Sequence, residues 1–203
     1  MPNWCSNAIT ITGDKKQISI IKHALESNKN KSVFETLVGR EPRYTDEQYE
    51  NGAWYDSNVS YWGTKWDVSY DDCQIVYDEE SISLSPDTAW SPPIEFCNNL
   101  VKMYKVVVHI FYSEPGIGFC GETNIYLDEE GTLFSDDSEY GYLEGLYILD
   151  KELFWSEVDY YVDSYGEDEE EKTMEEYVEE TFPFITEEDK KTIVEQIKEH
   201  HND

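Results

Sequence analysis

One short run constrains the fold more than any other part of this 203-residue chain: Lys105-Val-Val-Val-His-Ile-Phe-Tyr-Ser113. Successive residues of a strand point to opposite sheet faces. Val106, Val108, Ile110 and Tyr112 therefore share one face, and Val107, His109 and Phe111 the other. Both faces are largely apolar, so the strand is expected to be central in its sheet or covered on both sides.

The segments before it supply companions. Asn7–Thr12 alternates and is rich in β-branched residues, which predicts a strand. Gly13-Asp14 ends it. Asp14 can cap a helix over Lys15–Ser27, where Ile18, Ile21, Ala24 and Leu25 recur at helical spacing. Asn28–Lys31 is a polar stop, and Phe34–Val38 a brief apolar segment. Residues 39–60 read as irregular, punctuated by Gly39, Pro42, Asn51 and Gly52. Asp72–Tyr77 and Ser81–Ser85 are short strands around the acidic turn Asp78-Glu79-Glu80. Ser91-Pro92-Pro93 opens a second helix, with Ser91 as cap and Ile94, Cys97, Leu100, Val101 and Tyr104 as its apolar face.

The order is β-α-β-β-α-β. It predicts an α+β, ferredoxin-like split βαβ sandwich with both helices on one face of an antiparallel sheet. Residues 30–70 form a long insertion in it, of a kind that is often functional. Gly121–Leu127 and Thr132–Phe134 add a hairpin around Asp128-Glu-Glu-Gly131, whose spacing is not that of a calcium loop. A ferredoxin-like domain is thus expected over residues 1–135, followed by an acidic, mainly helical extension over 136–203. In the extension, Leu149–Tyr165 fits a helix, while Gly145–Leu149 fits a strand as well. Glu167–Glu171 reads as an exposed acidic loop. Thr173-x-x-Glu176 resembles a capping box, and Thr186 opens a last helix with Ile193, Val194 and Ile197 inward.

Charge divides the chain. Residues 1–113 hold 16 acids and 10 bases; residues 114–203 hold 29 acids and 5 bases. A field of this sign repels nucleic acid and anionic membranes and attracts basic proteins or cations. Two readings follow: a solubilising surface, or one that imitates the phosphate charge of a nucleic acid for a basic protein partner. The candidate partner face comprises Asp136, Asp137, Glu139, Glu144, Glu157, Asp159, Asp163, Glu167, Asp168, Glu169, Glu170, Glu171, Glu175, Glu176, Glu179 and Glu180.

Cys5, Cys73, Cys97 and Cys120 form no C-x-x-C pair, and the start lacks a basic-then-apolar run. The expectation is a cytoplasmic protein with reduced, mostly buried thiols and no membrane segment. His109, among valines, reads as a core histidine with its hydrogen bonds satisfied. No nucleophile–base, Walker or zinc pattern appears, so no catalytic residue, metal or cofactor is assigned.

Three stretches stand out chemically: Tyr61–Asp67, Thr88–Pro93 and Glu114–Gly121. Trp62, Lys65, Trp66, Asp67, Trp90, Ser91, Glu114 and Phe119 form the strongest constellation. The tryptophans could offer stacking faces to a ring or a cation, with Lys65 and the carboxylates setting polarity. They could equally fill the space between insertion and sheet, as aromatic clusters more often do. Gly116, Gly118 and Gly121 are spaced too loosely for a phosphate loop and lead into a strand, so conformational roles are expected.

Met1-Pro-Asn-Trp-Cys-x-Asn7, Trp62-Gly-Thr-Lys-Trp-Asp67, Thr88-Ala-Trp-Ser-Pro-Pro93 and Glu114-Pro-Gly-x-Gly-Phe-x-Gly121, in that order, resemble the YubB-type ferredoxin-like domain proteins of phages and plasmids. The resemblance covers residues 1–130. It implies a ferredoxin-like core and a mobile-element origin, and no activity. The expectation from residues and resemblance together is a non-enzymatic interaction protein. The alternative is a small-ligand or enzymatic site on the tryptophan motifs.

Overall fold

In the computed structural model, which describes residues 2–29, 32–165 and 172–201, Trp4–Thr12 forms strand β1. Helix α1, Lys15–Ser27, starts on a reciprocal cap: Asp14 accepts from the backbone of Lys16 and Gln17, and the Gln17 side chain accepts from the Asp14 N–H. Helix α2 is Val33–Val38. The part of the insertion expected to be irregular is instead largely helical. Thr45 and Gln48 close a capping box on the single turn α3, Asp46–Gln48. Residues Tyr49–Ala53 then form a kink, where Asn51 and Gly52 leave helical angles, before helix α4, Trp54–Trp62. Gly52, at φ 116°, breaks the helical period there, so no continuous apolar stripe is visible in the sequence.

Strands β2, Cys73–Tyr77, and β3, Ser81–Ala89, make the expected hairpin. Helix α5, Ile94–Tyr104, follows Pro93 without a side-chain cap. The assignment of Ser91 as cap is corrected: its hydroxyl donates to the Gly63 carbonyl instead, at 2.8 Å. Strands β4, Val107–Glu114, β5, Phe119–Leu127, and β6, Leu133–Gly141, complete a six-stranded sheet of order β2-β3-β1-β4-β5-β6. The first four strands have the split βαβ order, and their pairings are antiparallel.

One sheet face carries the core. Ile9 and Ile11 of β1, Ile82 and Leu84 of β3, and Val108 and Ile110 of β4 are buried in the same cluster as Ile21 and Leu25 of α1 and Phe96 and Leu100 of α5. Each such side chain contributes about 1.5–3 kcal/mol by leaving water. β4 is central, between β1 and β5. It is not sealed on both faces, because Val107 is 47% exposed and His109 and Phe111 are only partly buried. His109 is therefore not a core residue. It stands on the open face with its Nε2 3.0 Å from Glu122.

By compactness the chain divides into Met1–Glu139 and Tyr140–Asp203. The second unit has helices α6, Tyr142–Leu149, α7, Lys151–Asp163, α8, Met174–Thr181, and α9, Glu187–His201. Residues 145–149 are thus helical, not a strand. Leu146, Phe154, Val158, Val178, Phe182, Ile193 and Ile197 make its core, and Phe154 meets Tyr147 and Phe182 edge to face. No helix among the described residues is long and apolar enough to cross a membrane.

Candidate functional site

Three remote segments are tied together at one end of the sheet. α4 stops at Gly63, which adopts the left-handed conformation at φ 82°. A Cβ there would also lie 3.2 Å from the backbone nitrogens of Ile94 and Glu95, so the position suits only glycine. Beyond it the chain runs beside the end of β3. Thr64 donates to Ala89 O, Ser91 to Gly63 O, and Thr88 to Ser91 O. The side-chain amides of Asn58 and Asn99 donate to the carbonyls of Lys65 and Tyr61 at 2.9 and 2.8 Å. The N–H of Trp90 donates to Asn3 O at 2.9 Å and brings in the start of β1.

These ties assemble a row of tryptophans. Trp66 lies 6.3 Å from Trp90, nearly stacked, and 6.3 Å from Trp4, tilted. Lys65 places its ammonium 4.4 Å from the Trp66 ring and 4.9 Å from that of Trp90, a double cation–π contact. The row faces solvent: Trp4 is 50% exposed, and Trp66 and Trp90 are each 39%. Trp90 has φ 67°, a left-handed backbone that costs a bulky residue about 1–3 kcal/mol. The surrounding hydrogen bonds hold it there.

Of the other members of the constellation, Asp67 and Trp62 share grooves with Trp66, and each member is also held by structural contacts. Trp62 is buried, its ring edge-on to Phe34 and its Nε1 donating to Gly39 O at 2.9 Å. Phe119 packs against Tyr112 at the rim of the core. Glu114 is buried and accepts from the N–H groups of Gly116 and Ile117, which fixes the turn between β4 and β5. Asp67 accepts from Ser32 Oγ at 2.6 Å and from the N–H groups of Phe34, Glu35 and Val68 at 2.7 Å each. It thus caps α2 from a distance. Burial pushes its carboxyl pKa up, against the pull of those donors. Ser91 is a staple between segments. The structure brings Lys65, Trp66 and Trp90 together at the surface, with Asp67 beside them, and gives Trp62, Ser91, Glu114 and Phe119 structural contacts. Trp4, in the opening motif and outside that constellation, joins the row. No local signal places the first strand beside Trp66; the β1–β3 register Trp4↔Ala89 does so.

Beside the row is a groove of about 390 Å³ lined by Trp4, Trp66, Val68 and Ala89, with the carboxylates of Asp67, Asp72 and Asp87. A second groove of about 500 Å³ is lined by Arg40, Tyr49, Trp54 and Asn58 together with Trp62, Trp66 and Asp67. Arg40 there is paired with Glu35 at 2.9 Å and stacks on Tyr49 at 4.3 Å. Among the described residues, no group of three or more His, Cys, Asp or Glu is placed to hold a metal ion.

The acidic residues are distributed over both units. Asp136, Asp137 and Glu139 are exposed on β6, the last strand of the sheet, where charge also discourages edge-to-edge pairing. Glu144 and Glu157 are half-buried; Asp159, Asp163, Glu175, Glu176, Glu179 and Glu180 are exposed. Several carry internal partners: Glu175 with Lys198, Glu179 with Lys190, Glu180 with Lys172, Asp163 with His200, and Glu176 with Thr173. Glu167, Asp168, Glu169, Glu170 and Glu171 lie outside the described residues.

A family model described as the ferredoxin-like domain in Api92-like protein matches residues 61–197. The matched span begins at the tryptophan stretch and runs through the acidic helices, beyond residue 130, where the resemblance drawn from the motifs ends. A solved structure, that of protein api92 from Yersinia pseudotuberculosis, is similar at 12% identity, covering 70% of this chain and 99% of that one with a TM-score of 0.43. No curated protein matches the sequence.

Proposed function

The chain belongs to the family of the ferredoxin-like domain in Api92-like protein, and on that premise we propose that it is a non-enzymatic interaction protein whose carboxylate surface engages a basic protein partner. The observation that carries this reading is the charge of residues 140–203, which hold 21 acids against 5 bases. Lys151, Lys172, Lys190 and Lys198 are already paired with acids of the same unit, so the remaining carboxylates far exceed the cations available to them.

The charge density supports imitation of a nucleic acid. α8 spans about 12 Å and carries Glu175, Glu176, Glu179 and Glu180, about one carboxylate per 3 Å before the pairing of Glu175, Glu179 and Glu180 with Lys198, Lys190 and Lys172 is counted. One DNA strand carries one charge per about 3.4 Å. α7 is sparser, with four acids over about 20 Å. The partner fitting such a surface is a basic nucleic-acid-binding protein, as a host defence factor would be. A mobile-element origin, as in the YubB-type phage and plasmid proteins, and a cytoplasmic location belong to the same proposal.

The test is retention of lysate proteins on the immobilised chain at about 50 and 200 mM salt. The expected result is a basic protein released by salt and by added DNA duplex, and lost when Asp159, Asp163 and Glu176 are changed to Asn, Asn and Gln. Retention that is indifferent to salt and to DNA would refute charge imitation. The half-exposed row of Trp4, Trp66 and Trp90 favours a second reading, a ligand surface in the unit Met1–Glu139.

A further inference from the structure

We propose that the groove beside Trp4 and Trp66 receives a basic side chain, lysine or arginine, from the partner polypeptide. The inference rests on the reading that the partner is basic, and it adds a specific seat in the unit Met1–Glu139. The groove's composition carries it. Two half-exposed indoles and the buried Val68 and Ala89 line the groove. Three aspartates line it, and among the described residues no basic side chain does. Its volume of about 390 Å³ falls within the range of ligand pockets, about 300–1,000 Å³.

The parts divide the work as a basic side chain requires. Its aliphatic stem is apolar and its head is charged, so it suits an aromatic wall with carboxylates at the mouth. Asp67 is committed, because both its oxygens already accept from four donors. Asp72 and Asp87 are exposed, and the structure gives each one side-chain donor, Ser69 at 2.7 Å and Ser6 at 2.8 Å. A carboxylate can accept several hydrogen bonds, so both retain capacity for an incoming cation. The protein also shows this chemistry in itself: Lys65, which does not line the groove, rests its ammonium against Trp66 and Trp90. Exposed tryptophans are, in addition, the side chains most often found at the energetic centre of protein interfaces.

The test uses isotope-labelled full-length protein titrated with acetyl-Gly-Lys-Gly-amide, its arginine counterpart, and the lysine peptide acetylated on its side chain. The indole N–H resonances are followed by NMR. The expected result is a shift of the Trp4 and Trp66 resonances with the two cationic peptides and none with the acetylated one. Asp72→Asn with Asp87→Asn should weaken binding about five-fold or more. Trp66→Ala should weaken it about three-fold or more. An unchanged Trp62 resonance shows that the core of each variant is intact. Salt-sensitive binding of the cationic peptides that leaves Trp4 and Trp66 unmoved would overturn the groove while the acidic reading stands. Equal binding of the acetylated peptide would overturn the cation. No binding of any peptide would overturn the groove, while the salt and DNA sensitivity of the retained partner decides the acidic reading separately.

Discussion

Replacing Asp67 by alanine should destabilise the unit Met1–Glu139 by about 3 kcal/mol. The carboxylate accepts four hydrogen bonds, three from backbone N–H groups. The Ser32 hydroxyl can turn to water, and Glu35 is only partly buried. Phe34 and Val68 are buried, so their N–H groups would lose their acceptor inside the protein. Each such loss costs about 1–3 kcal/mol. Relief of a desolvated charge offsets part of the sum. Asp67→Asn keeps one acceptor oxygen and should cost about half as much. The assay is urea unfolding followed by tryptophan emission. Five of the six tryptophans, Trp4, Trp54, Trp62, Trp66 and Trp90, belong to this unit, so the signal reports on it.

The pH dependence checks the cause. Burial raises the Asp67 pKa above its ordinary 3.8, so the folded state holds the proton more tightly than the unfolded chain does. Its contribution is then fully present below pH 3.8 and declines as pH rises through the folded pKa. The cost of Asp67→Ala should therefore be larger at acid than at neutral pH. A cost below about 1 kcal/mol, or one that grows toward neutral pH, would refute the reasoning: the first would mean that water replaces the carboxylate, the second that its donors outweigh desolvation.

Two further outcomes follow from burial and close approach. Burial pushes the thiol pKa of Cys5 up to about 12 and that of Cys73 to about 11, and raises that of Cys97 as well. A disulfide reagent at about pH 8 should thus leave these thiols unmodified until urea is added; the stability that they contribute is present below pH 9 and should be lost as pH climbs toward 11–12. Gly121→Ala should cost about 1–3 kcal/mol in thermal or urea unfolding, because the new Cβ would lie 2.5 Å from Ser138 O and 2.7 Å from the Tyr112 hydroxyl.

Much of the fold was legible because its signals are local. Asp14 with Gln17 and Thr173 with Glu176 begin helices through contacts within one turn. The alternation around Ile110 forms a strand wherever the strand sits, and the order of elements then leaves few topologies. The helical insertion was less legible, since the kink at Asn51 and Gly52 interrupts the period that identifies a helix. The open face of β4 was not legible at all: valines and phenylalanine read as apolar whether or not anything covers them.

The candidate site divides along the same line. By itself the sequence determined which chemistry is present: tryptophans and a lysine in short motifs, and an acid excess concentrated after residue 113. Only the tertiary structure decided how it is used. Trp62 and Trp66 are four residues apart in one motif, yet the first is buried and the second 39% exposed, because Gly63 turns the chain between them. Asp67 is a remote helix cap that also lines the groove beside Trp66, and Trp4, distant in sequence, stands beside Trp66. Such outcomes depend on register and hydrogen bonds between segments far apart in the chain, and these are set by the packing of the whole sheet rather than by any local pattern of residues.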